Sequence, residues 1–249
     1  MPVSFQIDAY GLDEFVHLAR DFGQEKYGFA VTPNVDHLIR YHDDPQFRAM
    51  YGEGAFVLLD SRFLSYVFAL TKQIRVPVCT GSDLTASLFA KVIKPEDRIV
   101  LIGGEARQAA SLTDTYGLKD LRHFNPPMGF IRDAHAVEEC LQFIESNSPF
   151  RYCLLCVGAP QQEMLANMLK IRGKARGLAL CVGASVNFLT GIERRAPRWM
   201  QHLGAEWFYR VLQDPNRLAP RYFLRGPRLF GLLRDTDVVL RAPLKSEVL

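Results

Sequence analysis

The chain has 249 residues, of which 48% are hydrophobic and 23% charged, and carries a net charge of +3. That balance suits a folded globular protein with a sizeable core and excludes a disordered one. No run of about 18 uncharged apolar residues is present to span a bilayer, and the acids in the opening MPVSFQIDAYGLDEF argue against an export signal.

Short apolar runs rich in branched residues recur along the body, at 27–32 (YGFAVT), 55–59 (AFVLL), 98–103 (RIVLIG), 152–158 (YCLLCVG) and 177–183 (GLALCVG). Such runs predict parallel strands covered on both faces. Shorter strand candidates lie at 76–80 and 121–125. Helical spacing fills the intervals, at 36–41, 62–73, 83–93, 105–116, 133–146 and 161–172. The alternation predicts an α/β fold, a Rossmann-like and mostly parallel sheet flanked by helices, over residues 1–193. Five cysteines, an odd number lying mostly inside apolar runs, point to buried reduced thiols in a cytoplasm; Cys153 and Cys156 have knuckle spacing but no second pair.

In a sheet of this kind the reactive groups gather past the C-terminal ends of the strands. Thr32-Pro33-Asn34, Asp60-Ser61, Thr80-Gly81-Ser82-Asp83, Gly103-Gly104-Glu105, Gly158-Ala159-Pro160-Gln161-Gln162-Glu163 and Gly183-Ala184-Ser185 all fall there. Gly81 with Ser82 as a helix cap, Gly103-Gly104, and Gly158 before Pro160 are turns that expose helix N-terminal amides, suited to a diphosphate. Ordinary strand-to-helix turns want the same residues. Asp60 ends the run AFVLLD, where partial desolvation would raise its basicity and fit it for a general base; capping the helix at Ser61-Arg62 explains it as well. Thr32 and Asn34 suit sugar hydroxyls or a uracil edge, or a tight turn. The six histidines are scattered, with no H-E-x-x-H, so no protein-held divalent ion or other cofactor is expected.

Residues 194–234 hold nine arginines, no lysine and two acids, a net +7 that leaves the rest of the chain mildly acidic. The guanidinium fork grips phosphate through paired hydrogen bonds, which an ammonium cannot. Interleaved Trp and Phe suit an anionic membrane surface, and such a mixture also suits nucleic acid or the wet face of packing helices. A helix is predicted at 198–214 with an apolar stripe of Met200, Leu203, Trp207 and Val211, then a second amphipathic element at 221–234 interrupted by Gly226-Pro227. Together they make residues 194–249 a basic helical C-terminal appendage for diphosphate and membrane contact.

Thr32-Pro33-Asn34 with Asp36, Asp60, Gly81-Ser82-Asp83-Leu84, Val157-Gly158-Ala159-Pro160 with Gln162-Glu163, Val182-Gly183-Ala184, Gly191 with Arg195-Ala196-Pro197, and Glu206-Trp207 through Arg210, Pro215, Arg217 and Arg221-Tyr222 resemble, in consistent order, the WecG/TagA/CpsF family of bacterial glycosyltransferases. The resemblance implies an inverting, metal-independent transfer from a nucleotide-sugar donor, usually a UDP-sugar, to a polyprenyl-diphosphate-linked glycan at the inner face of the cell membrane. It makes Asp60 the base, with Thr32 and Asn34 lining its pocket and Gln162 in the active site. Arg210, Arg217 and Arg221 hold the diphosphate, and the remaining substrate-binding residues are expected to be Gly81, Ser82, Asp83, Gly103, Gly104, Gly158, Pro160, Glu163, Gly183 and Arg195. It further implies a cytoplasmic protein peripherally attached to the membrane, a role in exopolysaccharide or cell-surface glycan synthesis, no nucleic-acid partner, and possible homo-oligomers.

Three residues depart from the family's usual pattern: Gln161 stands for Lys, Ser61 for Gly and Asn187 for Asp. They bear on the donor sugar more than on the reaction type. A nucleotide-dependent oxidoreductase is the rival enzyme, disfavoured because no G-x-G-x-x-G occurs, just as the lack of G-x-x-x-x-G-K-S/T disfavours a phosphate-binding-loop NTPase. A noncatalytic basic binder of membrane or nucleic acid would use residues 194–234 and leave the strand-end motifs idle.

Overall fold

The computed structural model describes residues 2–51, 55–197, 199, 200, 203, 205–213, 215 and 225–242. The first half runs β1 (Val3–Asp8), α1 (Leu12–Asp21), β2 (Tyr27–Val31), α2 (Val35–Asp43), α3 (Pro45–Ala49), β3 (Ala55–Val57), α4 (Arg62–Lys72), α5 (Gly81–Lys91), β4 (Arg98–Ile102), α6 (Ala106–Tyr116) and β5 (Asp120–Phe124). The second half runs α7 (Ala134–Ser146), β6 (Tyr152–Leu155), α8 (Gln161–Arg172), β7 (Gly177–Cys181), α9 (Ser185–Leu189), α10 (Glu206–Gln213), α11 (Arg225–Arg234) and β8 (Thr236–Arg241).

Six strands form one sheet in the order β3-β2-β7-β6-β4-β5, each neighbouring pair parallel. Alternate residues of each strand point to opposite faces, which sorts the core into two clusters. Phe29, Val31, Val100, Ile102, Cys153, Leu155, Ala179 and Cys181 pack with Leu38 of α2 and Leu165 and Leu169 of α8. Ala30, Ile99, Leu101, Leu154, Leu178 and Leu180 pack with Leu84 of α5, Leu112 of α6 and Val186 of α9 on the other side. With both faces covered, apolar residues run almost unbroken along the inner strands β2, β7, β6 and β4. The adjacent strands β2 and β7 therefore send their following helices to opposite faces, which opens a crevice at their C-terminal ends.

Outside this sheet, β1 and β8 pair in parallel from Val3↔Thr236 to Asp8↔Arg241. Asp8 joins that pair to the main sheet, its Oδ2 accepting from Val57 N at 2.7 Å and from Arg241 Nη2 at 2.6 Å. The far end of the segment expected as a basic appendage is thus hydrogen-bonded to the beginning of the chain. In α11 Leu229 and Leu233 are 1% and 3% exposed and belong to the core, and Arg228 forks onto Asp43 of α2 at 2.6 and 2.8 Å. Leu229 and Leu233 of the element expected on lipid are thus seated on the protein itself, while Phe230 stands 60% exposed.

Other expectations need correction. Gly226-Pro227 do not interrupt a helix: α11 begins at Arg225, which puts Pro227 in the first turn, where a missing N–H costs no hydrogen bond. Residues 76–80 form no strand, since Pro77 has no N–H to donate, although Cys79 N reaches Leu59 O at 3.0 Å. The helix predicted at 198–214 is not continuous: Ala205 N bonds back to Met200 O at 2.9 Å before α10 starts, and Leu203 stands 69% exposed while Met200 and Val211 are buried. Among the described residues no helix is long and apolar enough to cross a membrane.

Candidate active site

The strand ends that flank the crevice meet through short contacts. Thr32, directly after β2, is 5% exposed and donates from Oγ1 to Cys181 O at 2.9 Å. The first residue of α5, Gly81, lies against it: a Cβ there would stand 3.2 Å from Thr32 Oγ1, 3.3 Å from Ser185 Oγ and 3.5 Å from Val182 Cα. Only a bare Cα lets the α5 terminus sit this close to the ends of β2 and β7. On the other flank Asp60 N donates to Pro33 O at 2.8 Å, which sets Asp60 beside the Thr32-Pro33-Asn34 turn. Ser61 caps α4, its Oγ accepting from Leu64 N at 3.1 Å, so Asp60 is not the cap. A glycine at 61 would supply no such acceptor.

The N-terminal turn of α5 anchors an arginine. Thr80, not Ser82, is the cap: its Oγ1 accepts from Asp83 N at 3.1 Å and donates to Asp83 Oδ2 at 2.8 Å. Asp83 also takes Arg195 Nη1 at 2.5 Å and Arg62 Nη2 at 3.3 Å. Burial pushes the Asp83 carboxyl up, but Arg195, Thr80 and Arg62 together outweigh it and hold it below the usual carboxylate range. Burial pulls the Arg195 guanidinium down, while Asp83, Glu206 and Asp60 raise it, and the net is upward. Asp60 is therefore close enough for its charge to act on Arg195. Arg195 Nε and Nη2 are buried and have no hydrogen-bond acceptor among the described residues.

Between β2 and β7 a second network runs inward. Asn34 caps α2, its Oδ1 accepting from Asp36 N at 3.1 Å and lying 3.0 Å from His37 Nδ1. His37 Nε2 faces Glu163 Oε1 at 3.4 Å. Glu163 Oε1 accepts from Gln162 Nε2 at 2.8 Å, and Gln162 Oε1 accepts from Gly183 N at 3.0 Å.

A crevice at diverging helices, an aspartate on one lip and an anchored guanidinium beside it suit a sugar joined to a diphosphate. A model of the glycosyl transferase WecG/TagA/CpsF family matches residues 2–242, nearly the whole chain. The chain belongs to that family. Among solved structures it is similar to one described by the words "The highly conserved domain of unknown function 1792 has a distinct glycosyltransferase fold", with a TM-score of 0.48, 12% identity, and cover of 80% of this chain and 83% of that one.

In this glycosyltransferase the expected site residues fall into groups. Thr32, Asn34, Asp60, Gly81, Asp83, Gln162, Gly183 and Arg195 are joined by the contacts above. Ser82 Oγ lies 3.3 Å from Thr80 Oγ1, and Pro160 precedes the first turn of α8, where Gln162 N bonds to Gly158 O at 3.0 Å. Glu163, expected against substrate, is completely buried, and Gln162 is 3% exposed with its amide engaged inside the protein. Gly103 and Gly104 have φ of 88° and 76°, and a Cβ on Gly103 would lie 2.9 Å from Cys156 O, so the turn itself requires glycine there. Arg217 and Arg221 lie outside the described residues, as does the side chain of Arg210.

The sequence reading missed His37, counted among scattered histidines, and the pair Gln108 and Glu193. Asn187 Oδ1 accepts from Gln108 Nε2 at 2.7 Å and its Nδ2 donates to Glu193 Oε1 at 2.8 Å. Only an amide does both; an aspartate at 187 would set two carboxylates face to face. The departure at 187 is thus matched by its own neighbours. Burial pushes the Cys140 and Cys156 thiols up, Cys156 to about 12, and both are free.

Proposed function

We propose that this glycosyltransferase transfers a sugar from a UDP-sugar to a polyprenyl-diphosphate-linked acceptor in cell-surface or exopolysaccharide synthesis, inverting the anomeric centre in one displacement. Asp60 accepts the proton of the acceptor hydroxyl as its oxygen forms the new bond to the anomeric carbon. The bond from that carbon to the UDP oxygen breaks on the opposite face. Charge growing on the leaving diphosphate meets the α5 terminus and Arg195, joined by Arg210, Arg217 and Arg221. The observation that carries this reading is Asp60 beside the Thr32-Pro33-Asn34 turn with its charge acting on Arg195.

Membrane contact at the inner face is supported by exposed apolar side chains along the basic segment, Trp199 at 63%, Leu203 at 69%, Phe208 at 42% and Leu212 at 64%. The test of the chemistry is Asp60→Asn. Removing a positioned base lowers turnover about 10²–10⁴-fold, while UDP affinity measured by calorimetry stays close to that of the wild type. Near-normal transfer by this variant to a purified lipid-linked acceptor would show that Asp60 is not the base.

A further inference from the structure

We propose that His37 and Glu163 are a buried positioning pair that locks the Gln162 amide and the Asn34 turn together behind the sugar-binding crevice, an inference that rests on the glycosyl-transfer reading above. Glu163 is 0% exposed and His37 6%, so neither reaches a substrate in the crevice. Their positions are nonetheless decisive for groups that border it. A carboxylate only accepts hydrogen bonds and a backbone N–H only donates them. With Glu163 Oε1 on one side at 2.8 Å and Gly183 N on the other at 3.0 Å, the Gln162 amide has one permitted orientation. Gly183 opens the loop that carries Ser185 against Gly81, so that orientation sets the floor of the crevice.

His37 completes the line on the α2 side. The pair requires hydrogen on Nε2, which directs it at the Glu163 oxygen 3.4 Å away and leaves Nδ1 to accept from Asn34 N. The His37 Nδ1 sits 3.0 Å from Asn34 Oδ1 and 3.4 Å from Asn34 N. The line Asn34-His37-Glu163-Gln162-Gly183 thus crosses from the first turn of α2 through the first turn of α8 to the end of β7. It is also sparsely satisfied. Glu163 Oε2, His37 Nε2 and the Tyr51 hydroxyl are buried without a well-formed hydrogen bond among the described residues. A well-packed apolar pair would stabilise the fold at least as well; orientation is what these polar groups add.

The experiment compares wild type with His37→Phe, which keeps the ring volume and removes both nitrogens, His37→Gln, which keeps a donor toward Glu163, and Glu163→Gln. Transfer kinetics, UDP affinity, melting temperature and histidine ring ¹⁵N spectra are read on the full chain. Expected are a kcat lowered about 10- to 100-fold in His37→Phe, the scale of a misplaced active-site group, donor KM within about threefold, and recovery of most of the loss in His37→Gln. His37→Phe with wild-type kcat, or His37→Gln no better than His37→Phe, overturns the proposal. The spectra decide it without any turnover: His37 should show a protonated Nε2 whose signal moves in Glu163→Gln. A neutral ring protonated on Nδ1, or a signal indifferent to Glu163→Gln, overturns it. If the wild type fails to transfer sugar while the spectra show the pair, the reaction assigned above falls and the locking of Gln162 stands.

Discussion

Replacing Gly81 by alanine probes the closest approach in the crevice. The added Cβ would stand 3.2 Å from Thr32 Oγ1 and 3.3 Å from Ser185 Oγ, both inside ordinary contact. Neither oxygen yields easily. Thr32 is held to Cys181 O at 2.9 Å and Ser185 to Val182 O at 2.6 Å, and both side chains are buried. Moving either weakens a hydrogen bond worth about 1 kcal/mol net, and overpacking a tight site costs about 1–3 kcal/mol. Against this stands the helix preference of alanine over glycine, at most about 1 kcal/mol and less at the first helical position. The net expectation is a loss of about 1–2 kcal/mol, or roughly 2–8 °C in melting temperature for a chain of this size. Urea unfolding gives the free energy directly, and Ser185→Ala in the same background should recover part of it, because the two sites touch. A Gly81→Ala protein as stable as wild type, or a double variant with additive losses, would refute the close approach.

Asp83→Asn tests the anchored arginine through pH. A carboxyl held low in the folded state stabilises the fold above its unfolded value, about pH 3.9, and that contribution disappears as pH falls through the lower folded value. Asp83→Asn should therefore melt below the wild type at neutral pH and approach it under acid; a gap constant from pH 7 to pH 3 contradicts the pairing of Asp83 with Arg195. At the α2–α11 contact, Leu233→Ala should cost about 2–5 kcal/mol in denaturant unfolding because the side chain is 3% exposed. Asp43→Ala removes only an exposed ion pair worth about 0–1 kcal/mol; equal losses in the two would mean that α11 is held by charge. Cys140, 0% exposed and with its thiol pushed up to about 12, should react with a disulfide reagent at pH 8 only on unfolding, and prompt labelling of Cys140 in the native protein would contradict its burial.

Local pattern carried the main sheet because its strands are buried on both faces, so AFVLL or RIVLI is apolar throughout and needs no partner to be recognised. The pair formed by β1 and β8 depends instead on residues such as Val3 and Thr236, distant in sequence, and VSFQID alternates too briefly to announce a parallel partner near the other end. The placement of Asp60 beside the Thr32-Pro33-Asn34 turn was legible for a positional reason: in a parallel sheet the segments that follow the strands gather at a common edge. His37 was not, since its meaning comes from Glu163 on a helix more than a hundred residues away. Ser82 mimics a cap because it stands one place inside a helix whose true cap, Thr80, ends a run that only looks like a strand. The basic segment showed its charge openly but not which of its apolar residues the body would claim.

That last distinction bears on the proposed role of the arginines at the diphosphate. A free basic tail would have to lose much conformational freedom to close on a diphosphate, in proportion to the chain it orders. Here the segment is fixed at its near end by Arg195 on Asp83 and at its far end by Arg228 on Asp43, Leu229 and Leu233 in the core, and β8 on β1. Arg210, Arg217 and Arg221, the arginines of the proposed donor site, fall in sequence between these two anchors, and closing a chain at both ends removes part of the freedom that substrate binding would otherwise remove. Cutting the chain after Gln213 should consequently weaken UDP binding by more than Arg217→Ala and Arg221→Ala combined, because truncation removes the far anchor as well as the charges. Calorimetry on the truncated and doubly substituted proteins decides the point; equal affinities would mean that the far anchor contributes nothing to donor binding.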